Sequence, residues 1–261
     1  MKPLIALALA SLLTPAASHA AATACPTHYA QGAAPDINNP AMLKKARELC
    51  AQSFGVMHSG VTRTPLWSAE YLTPSLVAAA ERMERKASFY AESRLPADER
   101  ADLNDYKGSG YDRGHMSPSG DMPDSFSQQQ SFTLANMVPQ AAKINQGIWA
   151  SIERAVRNEV SQGRSLYVMT GPMFEGASLE QLNARVLVPS SVFKAVYDPQ
   201  AQTAAAYVAS NAKDARGKKY DVITISELEQ RLRINLFPAM PARVKKTQGQ
   251  LPKPMNSRFE P

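Results

Sequence analysis

The chain has 261 residues, of which 44% are hydrophobic and 20% charged. These values are typical of an ordinary globular protein with a sizeable core, built as one large domain or two small ones, and they argue against a membrane-embedded chain. The formal net charge of +6 and the isoelectric point of about 9.3 are compatible with a polyanionic partner. Since many basic proteins bind no nucleic acid, charge alone selects no function.

The N-terminal segment has the features of an export signal. Lys2 supplies a positive charge, and the apolar run from Leu4 to Leu13 is too short to span a bilayer. Ser18 and Ala20 offer small side chains at the positions that a signal peptidase reads. We therefore expect cleavage near Ala20, and a soluble mature protein that is periplasmic or secreted. No later segment is long and apolar enough to cross a membrane.

Cys25 and Cys50 are the two cysteines of the chain. An even count in an exported protein favours a disulfide, which we expect to be structural rather than catalytic. On the chain-entropy model, closing a loop of this length stabilises the fold by roughly 3.5 kcal/mol. Two cysteines without a histidine at ligand spacing make a poor zinc site.

Short elements separated by irregular segments are predicted for the first half of the chain. Composition and capping residues indicate a helix from Asn39 to Cys50, a strand from Phe54 to Thr62, a helix from Pro74 to Arg85 and one short helix within Leu95 to Lys107. The start of the second helix equally suits a turn. The stretch from Gly108 to Asp121 is dense in Gly, Ser and Pro and is expected to be a loop.

The second half of the chain combines strands with two helices. Apolar residues at helical intervals predict a helix from Asn145 to about Gly163, and Ser226 with Glu229 in capping-box position predicts another. Strands are expected at Phe132 to Val138, Leu166 to Met169, Val186 to Val188, Val192 to Tyr197 and Ala204 to Ala209, with Gly171-Pro172 turning out of the second. Because no regular βαβ rhythm appears, an α+β fold with a central, mainly antiparallel sheet flanked by helices fits best.

A histidine in polar company is the first candidate for chemistry. His115 closes the run Asp112-Arg113-Gly114-His115, inside the predicted loop. An imidazole titrates near neutrality, so His115 suits the role of a general base. A lone histidine is more often a buried, hydrogen-bonded residue, but His28 and His58 lack comparable polar neighbours, and this contrast favours His115.

Asn145 and Glu153 are candidate ligands for a divalent cation. On a regular helix, residues eight apart lie about two turns apart and are offset by about 80°, which permits one direct ligand and one residue acting through the waters of the ion. Magnesium prefers oxygen ligands and keeps much of its hydration shell. Alternatively, Asn145 caps the helix and Glu153 forms a surface pair with Arg157. Spacing alone favours this second interpretation.

Five segments carry a resemblance to a known family. They are Tyr106 to His115, Phe132 to Gln140, Asn145 to Trp149 with Glu153, Thr170 to Phe174, and Val188 to Lys194. In this order they resemble the DNA/RNA non-specific endonucleases of the ββα-metal class, which include mitochondrial endonuclease G. The resemblance spans roughly residues 54–237 and implies a nuclease domain there. We expect residues 21–53 to form an N-terminal extension and residues 238–261 a flexible basic tail.

The resemblance implies a role for each matching residue of the centre. His115 corresponds to the general base and Asn145 to the direct magnesium ligand. Glu153 corresponds to the carboxylate that organises metal-bound water, and Asn136 to a supporting catalytic asparagine. The family fold is a central antiparallel sheet, on which the catalytic loop and the metal-bearing helix pack as a ββα unit.

The resemblance also implies cations for the phosphate. Arg85, followed by an aromatic and an acidic residue, corresponds best to a phosphate-binding arginine, with Arg82 and Arg94 close enough to compete for the role. Asp112 and Arg113 resemble residues that fix the loop and reach substrate phosphate.

These observations predict an exported endonuclease that hydrolyses DNA and RNA with little sequence preference and leaves 5′-phosphate ends. The expected cofactor is magnesium, which manganese could replace because both suit oxygen ligands. Two alternatives remain: a nucleic-acid-binding or uptake protein on a nuclease scaffold, and a secreted structural or adhesion domain.

Overall fold

A computed structural model describes residues 22–214 and 220–254 of the chain. The strands in these two ranges are β1 Asp36–Ile37, β2 Ala46–Cys50, β3 Gly55–Ser59, β4 Thr64–Leu72, β5 Tyr111–His115, β6 Met137–Ala141, β7 Leu166–Met173, β8 Gln181–Leu182, β9 Val186–Leu187, β10 Ser191–Asp198, β11 Thr203–Ser210, β12 Asp221–Ile223 and β13 Ile234–Asn235. The α-helices there are α1 Pro40–Leu43, α2 Pro74–Ala80, α3 Leu103–Tyr106, α4 Ser125–Ser131, α5 Ala150–Ser161, α6 Ile225–Leu232 and α7 Ala242–Lys246.

A seven-stranded sheet in the order β12-β11-β10-β7-β4-β3-β2 forms the centre, and every neighbouring pair in it is antiparallel. Because successive side chains of a strand point to opposite faces, β7 contributes Val168 to one core and Met169 to the other. Helix α5 covers the Val168 face through Ile152 and Val156, whereas α6 and α7 cover the Met169 face. The predicted α+β fold with an antiparallel sheet is confirmed.

A small hairpin and a helix stand on the Val168 face of the sheet. Strands β5 and β6 pair from Tyr111 opposite Ala141 to His115 opposite Met137. A π-helical segment, Ile144–Trp149, then leads directly into α5. Trp149 is fully buried in the core between this helix and the sheet, so it fixes the helix start relative to the hairpin. Together β5, β6 and α5 form the ββα unit.

Several local elements differ from the sequence-based expectation. The expected loop at residues 108–121 contains β5, which exists because β6 completes its hydrogen bonds. The helix expected from Asn39 ends at Leu43, and β2 follows it. Strand β7 continues through Gly171-Pro172 instead of turning there. The glycine lets strand β4 approach closely, since a Cβ at Gly171 would lie 2.5 Å from the Leu66 carbonyl oxygen. The cap of α6 is Thr224 rather than Ser226.

The segments on both sides of residues 54–237, the expected nuclease domain, pack against the central sheet. Strand β2 is an edge strand of the central sheet, so the segment before residue 54 is part of the domain. After residue 237, Val244 of α7 is buried and the Gly249 amide donates to the Ala204 carbonyl at 2.9 Å, so the chain up to residue 254 packs against the domain rather than forming a flexible tail. The expected signal sequence and residues 255–261 lie outside the described residues.

The expected disulfide between Cys25 and Cys50 is confirmed. It joins the buried N-terminal segment around Tyr29 to the edge strand β2, with a Cα–Cα distance of 5.5 Å, within the usual range. Within residues 22–214 and 220–254, every helix is too short or too polar to cross a bilayer.

Candidate active site

A cleft of about 390 Å³ lies beside the ββα unit, on the Val168 face of the sheet. Its walls bring together five of the residues singled out in the sequence, namely Arg85, Arg113, His115, Asn145 and Glu153. Strand β5 supplies Arg113 and His115, and the π segment with α5 supplies Asn145 and Glu153. A basic group, two oxygen donors and two guanidinium groups therefore face one space.

His115 ends β5 and is 9% exposed. Its ring packs edge-on against Phe132 at 4.9 Å and tilted against Phe89 at 5.6 Å between centroids. Its Nε2 atom has no hydrogen-bond partner in the described structure. Burial, together with the charge of Arg85, lowers the pKa of His115 to about 3. The imidazole is therefore neutral across the physiological range, and its Nε2 atom is buried without a partner from the described residues.

Arg85 is the arginine of the three candidates that lines the cleft. Its guanidinium carbon lies 5.0 Å from the centroid of the Phe132 ring, on which His115 also packs. Arg94 is occupied elsewhere, because it makes two hydrogen bonds of 2.8 and 2.9 Å to the Glu92 carboxylate. Arg82 is exposed and is absent from the residues that form the cleft wall.

Asn145 is oriented by Asp112. The Asn145 Nδ2 atom donates to Asp112 Oδ2 at 2.8 Å, and Gln146 Nε2 donates to the same oxygen at 2.8 Å. With its nitrogen committed, Asn145 presents Oδ1 as the atom that remains for a cation. The alternative in which Asn145 caps a helix is wrong, because the residue lies inside the π segment.

The π segment also changes the relation between Asn145 and Glu153. Gly147, with φ −101° and ψ −107°, interrupts the helical geometry between them. The offset of 80° expected from a regular α-helix therefore does not apply, since a π turn is wider than an α turn. Both side chains line the same cleft.

Glu153 is only partly exposed, and burial raises its pKa to about 7, against the opposing charges of Lys194 and Arg157. The expected alternative, a surface pair of Glu153 with Arg157, is not what forms: Arg157 Nη1 donates to Asp121 Oδ1 at 2.6 Å. Arg157 lines the cleft as well. From the sequence, Arg157 was expected only as a surface partner of Glu153. Its position one helical turn after Glu153 is the signal that could have placed it in the cleft.

Two ionisable side chains also lie buried beneath the cleft. Lys194 of β10 donates from Nζ to Thr170 Oγ1 at 2.7 Å and is almost fully buried. Glu70 of β4 is fully buried, and neither of its carboxylate oxygens has a hydrogen-bond partner in the described ranges. Burial raises the pKa of Glu70 well above its usual value. Neither residue was given a role from the sequence, although Lys194 ends one of the five segments that resemble the family.

Asn136 does not face the cleft. Its side chain is fully buried, and Nδ2 donates to the carbonyl oxygens of Ser117 and Ser131 at 2.9 Å. Its Oδ1 accepts from the Ser117 amide at 3.0 Å. These bonds hold the chain that leaves His115, so the geometry makes Asn136 a positioning residue rather than one that contacts substrate.

The donor set fits magnesium better than a metal that needs a full protein cage. Within the two described ranges, the one group of three His, Cys, Asp or Glu ligands is Cys25, Glu48 and Cys50, where the two sulfur atoms are already joined in the disulfide. The cleft instead offers the Asn145 amide oxygen and the Glu153 carboxylate. Mg²⁺ usually binds few protein oxygens and keeps several of its water ligands.

The similarity to known proteins agrees with this geometry. Residues 34–242 match the family described as DNA/RNA non-specific endonuclease. Nuclease C1 of Cunninghamella echinulata var. echinulata is 32% identical over 168 residues, which cover 60% of this chain and 67% of that protein. A nuclease of Nostoc sp. is 34% identical over 55% of this chain and 51% of its own length. The mitochondrial nuclease of Saccharomyces cerevisiae is 39% identical over 43% of this chain and 35% of its own.

A solved structure shares the fold. In the crystal structure of the EndoG/EndoGI complex, the matching chain is 24% identical with a TM-score of 0.68, covering 77% of this chain and 89% of that one. The matched part of this chain spans about two thirds of nuclease C1 and about half or less of the other two relatives. Because the family match covers most of the sequence, the chain belongs to the DNA/RNA non-specific endonuclease family.

Proposed function

We propose that the protein is an exported, magnesium-dependent endonuclease that hydrolyses DNA and RNA and leaves 5′-phosphate ends. One observation carries the proposal: a neutral histidine with an unpartnered Nε2, an asparagine with a free amide oxygen and an arginine all line a single cleft. These are His115, Asn145 and Arg85. Phosphodiester hydrolysis needs an activated water, a polarised phosphate and charge relief at the leaving oxygen.

His115 acts as the general base. A water beside Nε2 gives its proton to that atom as its oxygen attacks phosphorus, and the bond from phosphorus to the 3′ oxygen breaks. The low pKa of His115 keeps the base unprotonated before substrate binds. An anionic phosphate on Arg85 offsets the positive charge that lowers this pKa, so substrate binding strengthens the base.

The arginines bind phosphate rather than bases. Arg85, Arg113 and Arg157 all line the cleft, and a guanidinium group can donate two parallel hydrogen bonds to phosphate oxygens. Contacts to phosphate carry no sequence information, so the enzyme tolerates any sequence. Binding through phosphate also releases counterions, and activity should therefore fall as salt rises.

Magnesium would be held by Asn145 Oδ1 directly and by Glu153 through retained waters. Bound there, the ion supplies charge neutralisation at the departing 3′ oxygen. Asp112 keeps the amide of Asn145 in the orientation that this ligand role requires. Manganese suits the same oxygen donors.

Export is supported by the N-terminal sequence and by the disulfide between Cys25 and Cys50, which persists in oxidising compartments. Sequencing the N-terminus of the protein recovered from the periplasm or the medium tests it. We expect the first residue to be close to Ala21. Protein that stays in the cytoplasm and keeps Lys2 would contradict export.

The enzymatic proposal is tested by incubating plasmid DNA and structured RNA with the purified protein. We expect cleavage of both in Mg²⁺, loss of cleavage with a chelator, and loss in His115→Ala. His28→Ala serves as the matched control, because His28 bonds the Ala51 carbonyl at 3.2 Å and does not line the cleft. Tight binding of the wild type without cleavage would instead support a binding protein on a nuclease scaffold.

A further inference from the structure

A second cavity of about 390 Å³ adjoins the catalytic cleft. The two share Arg85, Arg113, Asn145 and Gln146 in their walls, so one groove continues from the catalytic centre into this cavity. We call it the aromatic cavity, because its remaining wall is formed chiefly by three rings, those of Phe89, Tyr106 and Tyr111. His115, Glu153 and Arg157 belong to the catalytic side alone.

Arg113 separates the two spaces and is held between two rings of the aromatic cavity. Its guanidinium carbon lies 5.0 Å from the centroid of Phe89 and 5.7 Å from that of Tyr106. The Arg113 Nε atom and the Tyr106 hydroxyl are both buried without a hydrogen-bond partner in the described ranges. The Tyr106 side chain is itself almost fully buried. Buried polar atoms without partners are rare, and at a cavity wall they point to a ligand that supplies them.

Tyr111 forms the outer part of the aromatic cavity in a fixed orientation. Its hydroxyl donates to Glu180 Oε2 at 2.7 Å, and Lys213 Nζ lies 4.0 Å from the centre of its ring. Lys213 also pairs with Glu180 at 3.5 Å. These contacts hold the ring in place although it is partly exposed. A ring held in this way needs little further ordering when it binds a flat ligand.

The chemistry of the walls selects the occupant. The arginines shared with the catalytic cleft suit a phosphate, whereas aromatic rings one step further along the same groove suit a flat apolar group covalently attached to that phosphate. A nucleobase meets this description, and base–aromatic stacking tolerates any sequence because every base has a π-face. A base paired within a duplex is stacked on its neighbours and cannot enter a side cavity, so the base must be unpaired.

We propose that the aromatic cavity is a subsite for an unpaired nucleobase next to the scissile phosphate, with Tyr111 as the ring on which the base stacks. The inference rests on the proposed nuclease function and deepens it, since it names single-stranded or locally opened nucleic acid as the preferred substrate. Stacking of one base on an aromatic side chain corresponds to about 5- to 150-fold in affinity.

The test measures binding of the full-length protein to a fluorescent 12-nucleotide single strand by anisotropy, in a chelator so that nothing is cleaved. A second probe has the same backbone with abasic sites in place of the nucleotides. Three variants are compared: Tyr111→Leu removes the ring, Tyr111→Phe removes the hydroxyl bond to Glu180, and Tyr71→Leu removes an aromatic ring on the Met169 face of the sheet, where Tyr71 stacks on Tyr167 at 4.4 Å.

We expect the wild type to bind the base-bearing strand at least about fivefold more tightly than the abasic strand. Tyr111→Leu should lose this preference by weakening the base-bearing complex alone, while Tyr111→Phe and Tyr71→Leu keep it. Equal binding of both probes by the wild type, or equal weakening of both by Tyr111→Leu, overturns the subsite. Cleavage in Mg²⁺ is measured in parallel: a base preference without cleavage refutes the nuclease proposal and leaves the subsite standing.

Discussion

The amide nitrogen of Asn145 donates a hydrogen bond to Asp112 Oδ2 at 2.8 Å, and this bond determines which atom of Asn145 a cation can bind. An amide offers one oxygen and one nitrogen, and only the oxygen binds Mg²⁺. Because the Asp112 carboxylate can only accept hydrogen bonds, it holds the Asn145 nitrogen toward β5 and leaves the Asn145 oxygen for a cation. The sequence-based expectation was that Asp112 and Arg113 fix the loop and reach phosphate. The bond to Asn145 favours an orienting role for Asp112, because a carboxylate would repel phosphate.

Replacing Asp112 should weaken metal binding before it affects anything else. In Asp112→Ala the amide of Asn145 is free to turn, and we expect the Mg²⁺ concentration for half-maximal cleavage to rise by roughly 10- to 100-fold. Cleavage of plasmid DNA across a magnesium titration measures this. Gln146→Ala is the control, since Gln146 bonds the same oxygen but has no ligand role. A lower maximal rate with an unchanged magnesium midpoint would contradict the orienting role.

The pKa of His115 should respond to Arg85 in a defined direction. Burial is the larger cause of the pKa of about 3, and the charge of Arg85 is the second. Removing that charge in Arg85→Ala should raise the pKa, but not to 6.5, because the ring stays buried. NMR titration of the His115 ring protons measures it. Arg82→Ala, at an exposed position outside the cleft wall, should leave the titration unchanged. A similar rise of the His115 pKa in Arg82→Ala would contradict a specific effect of Arg85.

Much of the site could be predicted because its residues sit in ordered motifs. His115, Asn145 and Glu153 were placed by their correspondence to a family pattern, and the structure brings all of them to one cleft. The disulfide followed from an even number of cysteines in a chain that is expected to be exported. The strongly periodic apolar residues of α5, such as Ile152 and Val156, predicted its buried face.

The remainder depends on contacts that the local sequence does not encode. Strand β4 was not anticipated, because Pro65 and Glu70 are unusual in a central strand. Pro65 is accommodated beside a register shift with β3, and Glu70 lies under the cleft among charges from other elements. The sequence predicts an ordinary helix where the π segment lies, since the irregular geometry at Gly147 arises only in the packed chain.

Acid should destabilise the protein in part through His58. His58 is fully buried, Nε2 contacts the Glu99 carbonyl oxygen at 2.9 Å, and burial lowers its pKa below 6.5. Below pH 6.5 the unfolded chain therefore binds a proton that the native state does not, and stability falls as pH decreases through this value.

We expect the unfolding free energy to drop more between pH 7 and pH 5 in the wild type than in His58→Gln. The difference should reach up to about 2 kcal/mol, the limit for a histidine that stays neutral in the native state. Urea unfolding at both pH values measures it. An identical pH dependence in the two proteins would mean that His58 is protonated in the folded state.

The disulfide should stabilise the fold without affecting catalysis. Cys50 lies in edge strand β2, and neither cysteine lines the cleft. In Cys25→Ala/Cys50→Ala we expect roughly 3.5 kcal/mol less stability by urea unfolding and an unchanged rate per folded molecule. Reduction of the wild type with dithiothreitol should reproduce both results. A loss of rate at full folding would link this segment to the active site.

Asn136 should act on the rate through the chain that follows His115. Asn136→Ala leaves the Ser117 amide and the carbonyls of Ser117 and Ser131 without their partner, so we expect roughly 2–4 kcal/mol less stability. Because Ser117 lies two residues after His115, kcat should also fall, while KM and the magnesium midpoint change little.

Asn211→Ala is the matched control for this effect. Asn211 is equally buried and also makes three hydrogen bonds to backbone, with Ala141, Pro139 and Pro189. It holds the end of β6 opposite Tyr111, away from His115. We expect a similar loss of stability but a kcat close to wild type at saturating Mg²⁺. If both variants lost kcat equally, the effect of Asn136 would reflect general destabilisation, and its positioning of His115 would be refuted.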